Sequence, residues 1–218
     1  MAALSVPGSR VSVGVLGGSF DPPHVGHVAL AAAGVERFSL ARLLVRVTAA
    51  PGHKPVATAP EARLELARVA FDPVAEAVVE LDPFARTVDS LEALDLDDPV
   101  FLVGADEFAA FLAWKEPGRV LELARLGVAA RPGVDDARLR EVLAALPRPE
   151  RVTFFPLEPH PVSSTELRRR VARGESLGGL VPPGVEAVIR RLGLYAGVPP
   201  TAGRGTLSGE STERTTPT

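Results

Sequence analysis

Two histidines three residues apart, His24 and His27, close the string Gly17-Gly18-Ser19-Phe20-Asp21-Pro22-Pro23-His24-Val25-Gly26-His27. These residue types at this spacing suit phosphate chemistry. Glycines let a backbone turn sharply and approach a phosphate with no Cβ in the way. A helix starting near Val25 would add unpaired N–H groups and a positive dipole end. Histidines three apart share one side of such a helix start, and Gly26 between them leaves room for a ligand. Two imidazoles there can hydrogen-bond phosphate oxygens and stabilise charge that builds during phosphoryl or nucleotidyl transfer. The string is neither a G-x-G-x-x-G fingerprint nor a P-loop, since it lacks G-K-[ST]. A two-histidine metal site finds no third ligand nearby. A plain turn with incidental histidines would explain H-x-x-H, but not the glycines and prolines ahead of it.

A second string, Val162-Ser163-Ser164-Thr165-Glu166-Leu167-Arg168-Arg169-Arg170, places three hydroxyls before a helix. Ser164 or Thr165 can cap that helix. Capping alone does not account for three hydroxyls joined to three arginines. At a helix N-terminus they would donate to a polyphosphate, with Arg168 adding charge-assisted bonds.

The first string closely resembles the G-[ST]-F-D-P-x-H-x-G-H signature of bacterial nicotinate-nucleotide adenylyltransferases, members of the nucleotidyltransferase superfamily marked by H-x-G-H. The second resembles that family's I-S-S-T-x-[IV]-R motif, with Val162 for isoleucine and Leu167 at the later apolar position. The match continues in order over about residues 11–195. Pro51-Gly52-His53-Lys54 resembles a P-P-H-K loop in which Gly52 replaces proline. An isolated lysine in a loop is ordinarily solvated; the resemblance implies that Lys54 reaches the phosphates. Ala62 to Ala67 resembles the helix after that loop. Gly104-Ala105-Asp106 resembles G-[AS]-D, implying an aspartate bonded to the ATP side, beside its other role as a helix N-cap. Trp114 resembles a tryptophan that stacks on the nicotinate ring, although a lone tryptophan is otherwise expected in a core. Arg131-Pro132-Gly133 resembles R-P-G, and Val181-Pro182-Pro183 to Gly193-Leu194-Tyr195 resembles the C-terminal helix. One run departs. Where the family often has Ser-Tyr-Thr-x-Asp-Thr-Leu, this chain has Ala85-Arg86-Thr87-Val88-Asp89-Ser90-Leu91. Thr87, whose backbone the resemblance places at the nicotinate carboxylate, is kept; the tyrosine position is Arg86, which either favours an acid substrate or points to solvent.

The resemblance implies transfer of AMP from ATP to nicotinate mononucleotide, forming deamido-NAD and pyrophosphate in NAD biosynthesis. It makes His24, His27, Lys54 and Arg168 the catalytic groups. ATP would lie against Gly17, Gly18, Ser19, Phe20, His24, Gly26, His27, Gly104, Asp106, Ser163, Ser164, Thr165 and Arg168. The mononucleotide would lie against Ser19, Lys54, Thr87, Trp114 and Arg131. No carboxylate cage is visible, so Mg²⁺ is expected to arrive bound to ATP. The alternatives are the same chemistry on nicotinamide mononucleotide or phosphopantetheine, a nucleotide-binding regulator without catalysis, and a fragment of a tRNA ligase. The Trp114 context and the length argue against phosphopantetheine, the intact cationic set against a regulator, and the short chain with near-neutral charge against the ligase.

The elements that must position these groups alternate strand and helix. Apolar, β-branched runs predict strands at 11–16, 43–47, 77–81, 99–104, 126–130 and 152–155. Helices are predicted at 25–38, 61–71, 87–96, 107–114, 118–124, 135–146, 164–173 and 183–192. In the second of these, Leu64, Ala67 and Phe71 form the apolar stripe, and Glu61, Arg63, Glu65 and Arg68 the polar positions. The pattern is α/β: a Rossmann-like, doubly wound, mostly parallel sheet with helices on both faces. Such sheets bind ligands at the carboxyl ends of their strands, where Gly17–His27, Gly104–Asp106, Arg131–Gly133 and the segment after Phe155 all fall. Residues 1–10 are expected to be a flexible N-terminus, 11–196 one nucleotidyltransferase domain, and 197–218, rich in Thr, Gly, Ser and Pro, a disordered tail.

Composition agrees. The 218 residues are 46% apolar, enough for a substantial core, and the net charge of −3 gives no reason to invoke nucleic acid or a charged membrane surface. There is no cysteine, which excludes disulfides, thiolate metal sites and a cysteine nucleophile. No signal peptide and no long unbroken apolar run is apparent, so a cytoplasmic protein with no membrane partner is expected. A homo-oligomer is compatible with the sequence.

Overall fold

Alternate residues along each central strand face opposite ways, and this alternation decides which helices cover which side of the sheet. In the computed structural model, which describes residues 12–52, 56–130 and 136–196, six strands run β1 (Val13–Gly18), β2 (Arg42–Thr48), β3 (Ala77–Asp82), β4 (Val100–Gly104), β5 (Arg125–Ala130) and β6 (Val152–Pro156). They form one sheet in the order β3-β2-β1-β4-β5-β6, and every pairing is parallel. Eight helices intervene: α1 (Val25–Phe38), α2 (Pro60–Phe71), α3 (Thr87–Leu94), α4 (Ala105–Ala109), α5 (Pro117–Leu123), α6 (Ala137–Ala144), α7 (Ser164–Ala172) and α8 (Val185–Leu192).

Leu16, Val45, Val47, Leu102, Ala129 and Phe155 face one core, completed by Leu30 and Ala31 of α1, Leu66 and Phe71 of α2, Leu167 of α7 and Ile189 of α8. Val15, Phe101, Val103, Leu126 and Val128 face the other, completed by Val88 and Leu91 of α3, Phe108 of α4, Val120 of α5 and Val142 of α6. The sheet thus divides its side chains between two apolar layers, as a sheet covered on both faces requires. The chain order reverses between β1 and β4. In sheets of this kind ligands bind at the carboxyl edge beside that switch point.

The predicted elements recur with instructive shifts. The sequence closes β1 at Leu16; the strand continues through Gly17 and Gly18, which pair with Arg46 and Val47. The helix expected over Glu107–Trp114 breaks at Ala110 (φ −100°, ψ 3°) into α4 and a 3-10 turn, Phe111–Ala113. The tighter turn nearly superposes residues three apart, and Phe108 and Phe111 stack at 6.1 Å in the same core. Helix α3 stops at Leu94 because Asp95 turns left-handed (φ 45°). Helix α6 starts at Ala137 because the Asp136 carboxylate accepts from the N–H groups of Arg138 and Leu139. Helix α8 starts at Val185, after Gly184 at φ 89°.

The largest correction is on α2. Its buried stripe is Arg63, Leu66, Ala67, Ala70 and Phe71; Ala67 and Phe71 are as expected and Leu64 packs partly buried on the same core, but Arg63 is not at a polar position. Arg63 lies on the inward face. Among the described residues no helix is long and apolar enough to cross a membrane. The expectations for 1–10 and 197–218 lie outside the described residues.

Candidate active site

The first motif is a strand end that folds back on itself. After Gly18, Phe20 adopts a left-handed backbone (φ 46°), which turns its ring into the core, edge-on to Phe71 at 5.3 Å and to His27 at 5.2 Å. A Cβ on Gly18 would lie 2.9 Å from that ring, so the glycine is what allows the reversal. The ring of Phe20 therefore supports His27 from below, and only its backbone is left to face a nucleotide.

His24 is the N-cap of α1. Its ring stacks on that of His27 with centroids 3.6 Å apart. The backbone N–H of His24 donates to Nδ1 of His27 at 3.1 Å. A ring nitrogen that accepts carries no proton, so the neutral His27 ring holds its proton on Nε2 as a donor. Burial, and secondarily His160, pull the His24 imidazole down from 6.5 to about 4. His24 is thus neutral at physiological pH and offers hydrogen bonds, not a cation.

Gly26 does not leave the open space that the sequence suggests. A Cβ there would meet His24 Nδ1 at 3.1 Å and the Cβ of His160 at 3.3 Å. Its role is close approach, letting the segment after β6 lie against the start of α1. Sequence reasoning misses His160, because nothing local marks it.

The second motif docks on the first. Ser164 Oγ donates to the Pro22 carbonyl at 2.8 Å, and Arg168 Nη1 donates to the Asp21 carbonyl at 2.7 Å. Arg168 Nη2 also donates to Thr165 Oγ1 at 3.3 Å. The cap of α7 is neither Ser164 nor Thr165. Ser163 Oγ accepts from the Glu166 N–H at 3.2 Å, and the S-x-x-E spacing of Ser163 and Glu166 carries that signal. The three hydroxyls therefore divide their work: Ser163 caps, Ser164 ties the motifs together, and Thr165 accepts from Arg168.

Two further groups brace this junction. Arg63 is 1% exposed. Its guanidinium donates to four backbone carbonyls, those of Thr58 (3.1 Å), Ser19 (2.9 Å), Thr48 (2.7 Å) and Ala49 (2.7 Å). It joins the segments that leave β1 and β2. The buried Asp21 carboxylate accepts from Tyr195 Oη at 2.7 Å. Burial and then Asp21 raise the Tyr195 phenol, which keeps it a donor at any working pH.

At the far side of the switch point, Asp106 is exposed in the first turn of α4. It is not the cap; Gly104 holds that position. Trp114 is half-buried, its ring edge against Phe101 (6.1 Å) and Phe111 (5.2 Å). It is anchored in the second core and keeps exposed surface. Thr87 is the first residue of α3, with Arg86 as N-cap. On β2, Arg46, 8% exposed, pairs with Glu80 (3.0 Å) and Asp82 (3.3 Å) and ties β2 to β3. Lys54 and Arg131 lie outside the described residues.

A family model described as cytidylyltransferase-like matches residues 15–170. Among curated relatives, a probable nicotinate-nucleotide adenylyltransferase of Thermus thermophilus is 42% identical over 193 residues, covering 84% of this chain and 98% of the relative. That of Rubrobacter xylanophilus is 35% identical over 198 residues, covering 84% and 91%. Among solved structures, Plasmodium falciparum nicotinic acid mononucleotide adenylyltransferase complexed with NaAD superposes with a TM-score of 0.69 over 84% of this chain and 97% of that one. At 15% identity this likeness speaks for the fold.

Proposed function

Because the chain belongs to the nicotinate-nucleotide adenylyltransferase family, we infer that it transfers AMP from ATP to nicotinate mononucleotide, releasing pyrophosphate and forming deamido-NAD. The observation that carries this reading at the level of the site is the docking of the second motif on the first, through Arg168 to Asp21 and Ser164 to Pro22, beside the stacked histidines.

In this mechanism a 5′-phosphate oxygen of the mononucleotide attacks the α-phosphorus of ATP in line. The bond from that phosphorus to the bridging oxygen breaks, and pyrophosphate leaves with the electron pair. The nucleophile is already ionised at neutral pH, so no general base is needed. The protein's task is to align two polyanions and offset their repulsion. His27, donating from Nε2, and neutral His24 are placed at the start of α1 to hydrogen-bond the reacting phosphates. Arg168 and the hydroxyls of Ser163 and Thr165, whose protons are uncommitted, hold the leaving pyrophosphate, while Ser164, its hydroxyl given to Pro22, offers its backbone N–H; Lys54 is assigned to the same phosphates. Asp106 takes the ATP side, and Thr87, Trp114 and Arg131 take the mononucleotide.

Mg²⁺ enters this reading as a companion of ATP. No group of three or more His, Asp or Glu among the described residues is arranged to hold a metal, so the polyphosphate would supply its ligands; bound there, the ion would neutralise phosphate charge. The test is pyrophosphate release, which must require ATP and the mononucleotide together.

A further inference from the structure

Tyr195 is the only tyrosine of the chain, and neither phosphate motif contains it. It reaches the first motif from beyond α8. Gly193 closes that helix in a left-handed turn (φ 62°), and Tyr195 is itself left-handed (φ 61°). A side chain other than glycine rarely takes that backbone. Here the two turns carry the phenol to a junction of loops. Its oxygen donates to Oδ1 of Asp21 at 2.7 Å and accepts from the Thr58 hydroxyl. Arg63 Nε in turn holds the Thr58 carbonyl at 3.1 Å. The same C-terminal segment grips the first motif a second time, for the Leu180 carbonyl accepts from the N–H of Val25, the first residue of α1, at 3.1 Å.

Asp21 has two neighbours that could claim its charge. Oδ1 takes the phenol, whereas Oδ2 stands 3.9 Å from Arg168 Nη1, too far for a hydrogen bond. Arg168 instead gives Nη1 to the Asp21 backbone carbonyl at 2.7 Å and Nη2 to Thr165 at 3.3 Å. We propose that the Tyr195 hydroxyl is a positioning group for AMP transfer: by holding the Asp21 carboxylate on Oδ1 it keeps that charge from closing on Arg168, and so leaves the remaining N–H groups of the guanidinium to the leaving pyrophosphate. The proposal rests on the function inferred above. Asp21 is 5% exposed, and a buried carboxylate that loses a donor turns to whatever other donor is within reach. Without the phenol, a small rotation brings Oδ2 onto Nη1 in a charge-assisted pair. That pair competes with phosphate for the same guanidinium.

The test is Tyr195→Phe, which keeps the ring and removes the hydroxyl. Counted per folded molecule, kcat falls roughly tenfold, the scale of one hydrogen bond to a charged group. Pyrophosphate added as product inhibitor loses affinity in parallel. KM for the mononucleotide is unchanged, because Arg168 does not hold it. Adding Asp21→Asn, which keeps the shape and removes the charge that captures Arg168, recovers much of the loss. Thr58→Val, which loosens the phenol without touching Asp21, moves kcat and pyrophosphate affinity in the same direction by less, and it carries the test if Tyr195→Phe does not fold. An unchanged kcat per folded molecule in Tyr195→Phe, or in Thr58→Val where that variant stands in, overturns the proposal. So does a loss confined to KM for the mononucleotide, or a Tyr195→Phe loss undiminished in the Asp21→Asn background. If the unmutated chain forms no dinucleotide, the function itself fails, a result distinct from these.

Discussion

The guanidinium of Arg168 donates to the backbone carbonyl of Asp21 at 2.7 Å, although 147 positions of sequence separate the two residues. With Ser164 bonded to Pro22, this makes the two motifs one rigid unit. Arg168 thus fixes the start of α7, and in the proposed mechanism it also presents its remaining N–H groups to phosphate. Lysine carries the charge but not the fork. Arg168→Lys should therefore lower kcat/KM by roughly tenfold or more, read by steady-state kinetics. Activity equal to wild type would remove Arg168 from the phosphate site.

His27 is held by two neighbours, the His24 N–H on Nδ1 and the Phe20 ring on its side. This fixes Nε2 as a preorganised donor. His27→Ala should reduce kcat by about 10²-fold or more, the scale for loss of one such donor. His27→Gln, whose amide can reach toward the same point, should lose less. Near-normal turnover in His27→Ala would refute the role.

The lowered His24 pKa carries a stability consequence with a definite sign. Between about 4 and 6.5 the unfolded chain binds a proton on His24 that the folded chain refuses. The unfolded state holds more protons there, so stability rises with pH through that window and is lost as pH falls. Urea midpoints measured from pH 7 down to pH 4 should decline, and the decline should be shallower in His24→Asn. Parallel curves for the two proteins would show that His24 is not the group responsible.

Arg63 is braced by four carbonyls, three of them in the segments that leave β1 and β2. Methionine fills much of the volume and leaves buried carbonyls without donors. Arg63→Met should cost about 3 kcal/mol or more of unfolding free energy, measured by urea denaturation. A loss under about 1 kcal/mol would mean that water replaces the guanidinium.

How far the sequence can be read follows from these residues. The strands and α1 are legible because buried parallel strands are apolar runs and because Ser39 ends α1 where the apolar pattern ends. The two phosphate motifs are legible because glycines, histidines and hydroxyls are concentrated in short strings. Arg63 is misread because its partners are backbone carbonyls, which leave no trace in residue identity, and an arginine on a helix is ordinarily solvated. The Asp21–Tyr195 bond spans 174 positions, and nothing local announces it. The approach of Arg86 to Gly52, where a Cβ would lie 3.4 Å from its Cζ, is of the same kind: each departure is visible in the sequence, but only the folding of β2 and β3 side by side shows that they belong together.

The most direct measurement of the central claim follows the label of ATP carrying a radioactive α-phosphate, incubated with nicotinate mononucleotide. AMP transfer predicts label in a dinucleotide product, one unlabelled pyrophosphate released per dinucleotide, and neither product without the mononucleotide. Label recovered in ADP, or in AMP formed without the mononucleotide, would contradict the account.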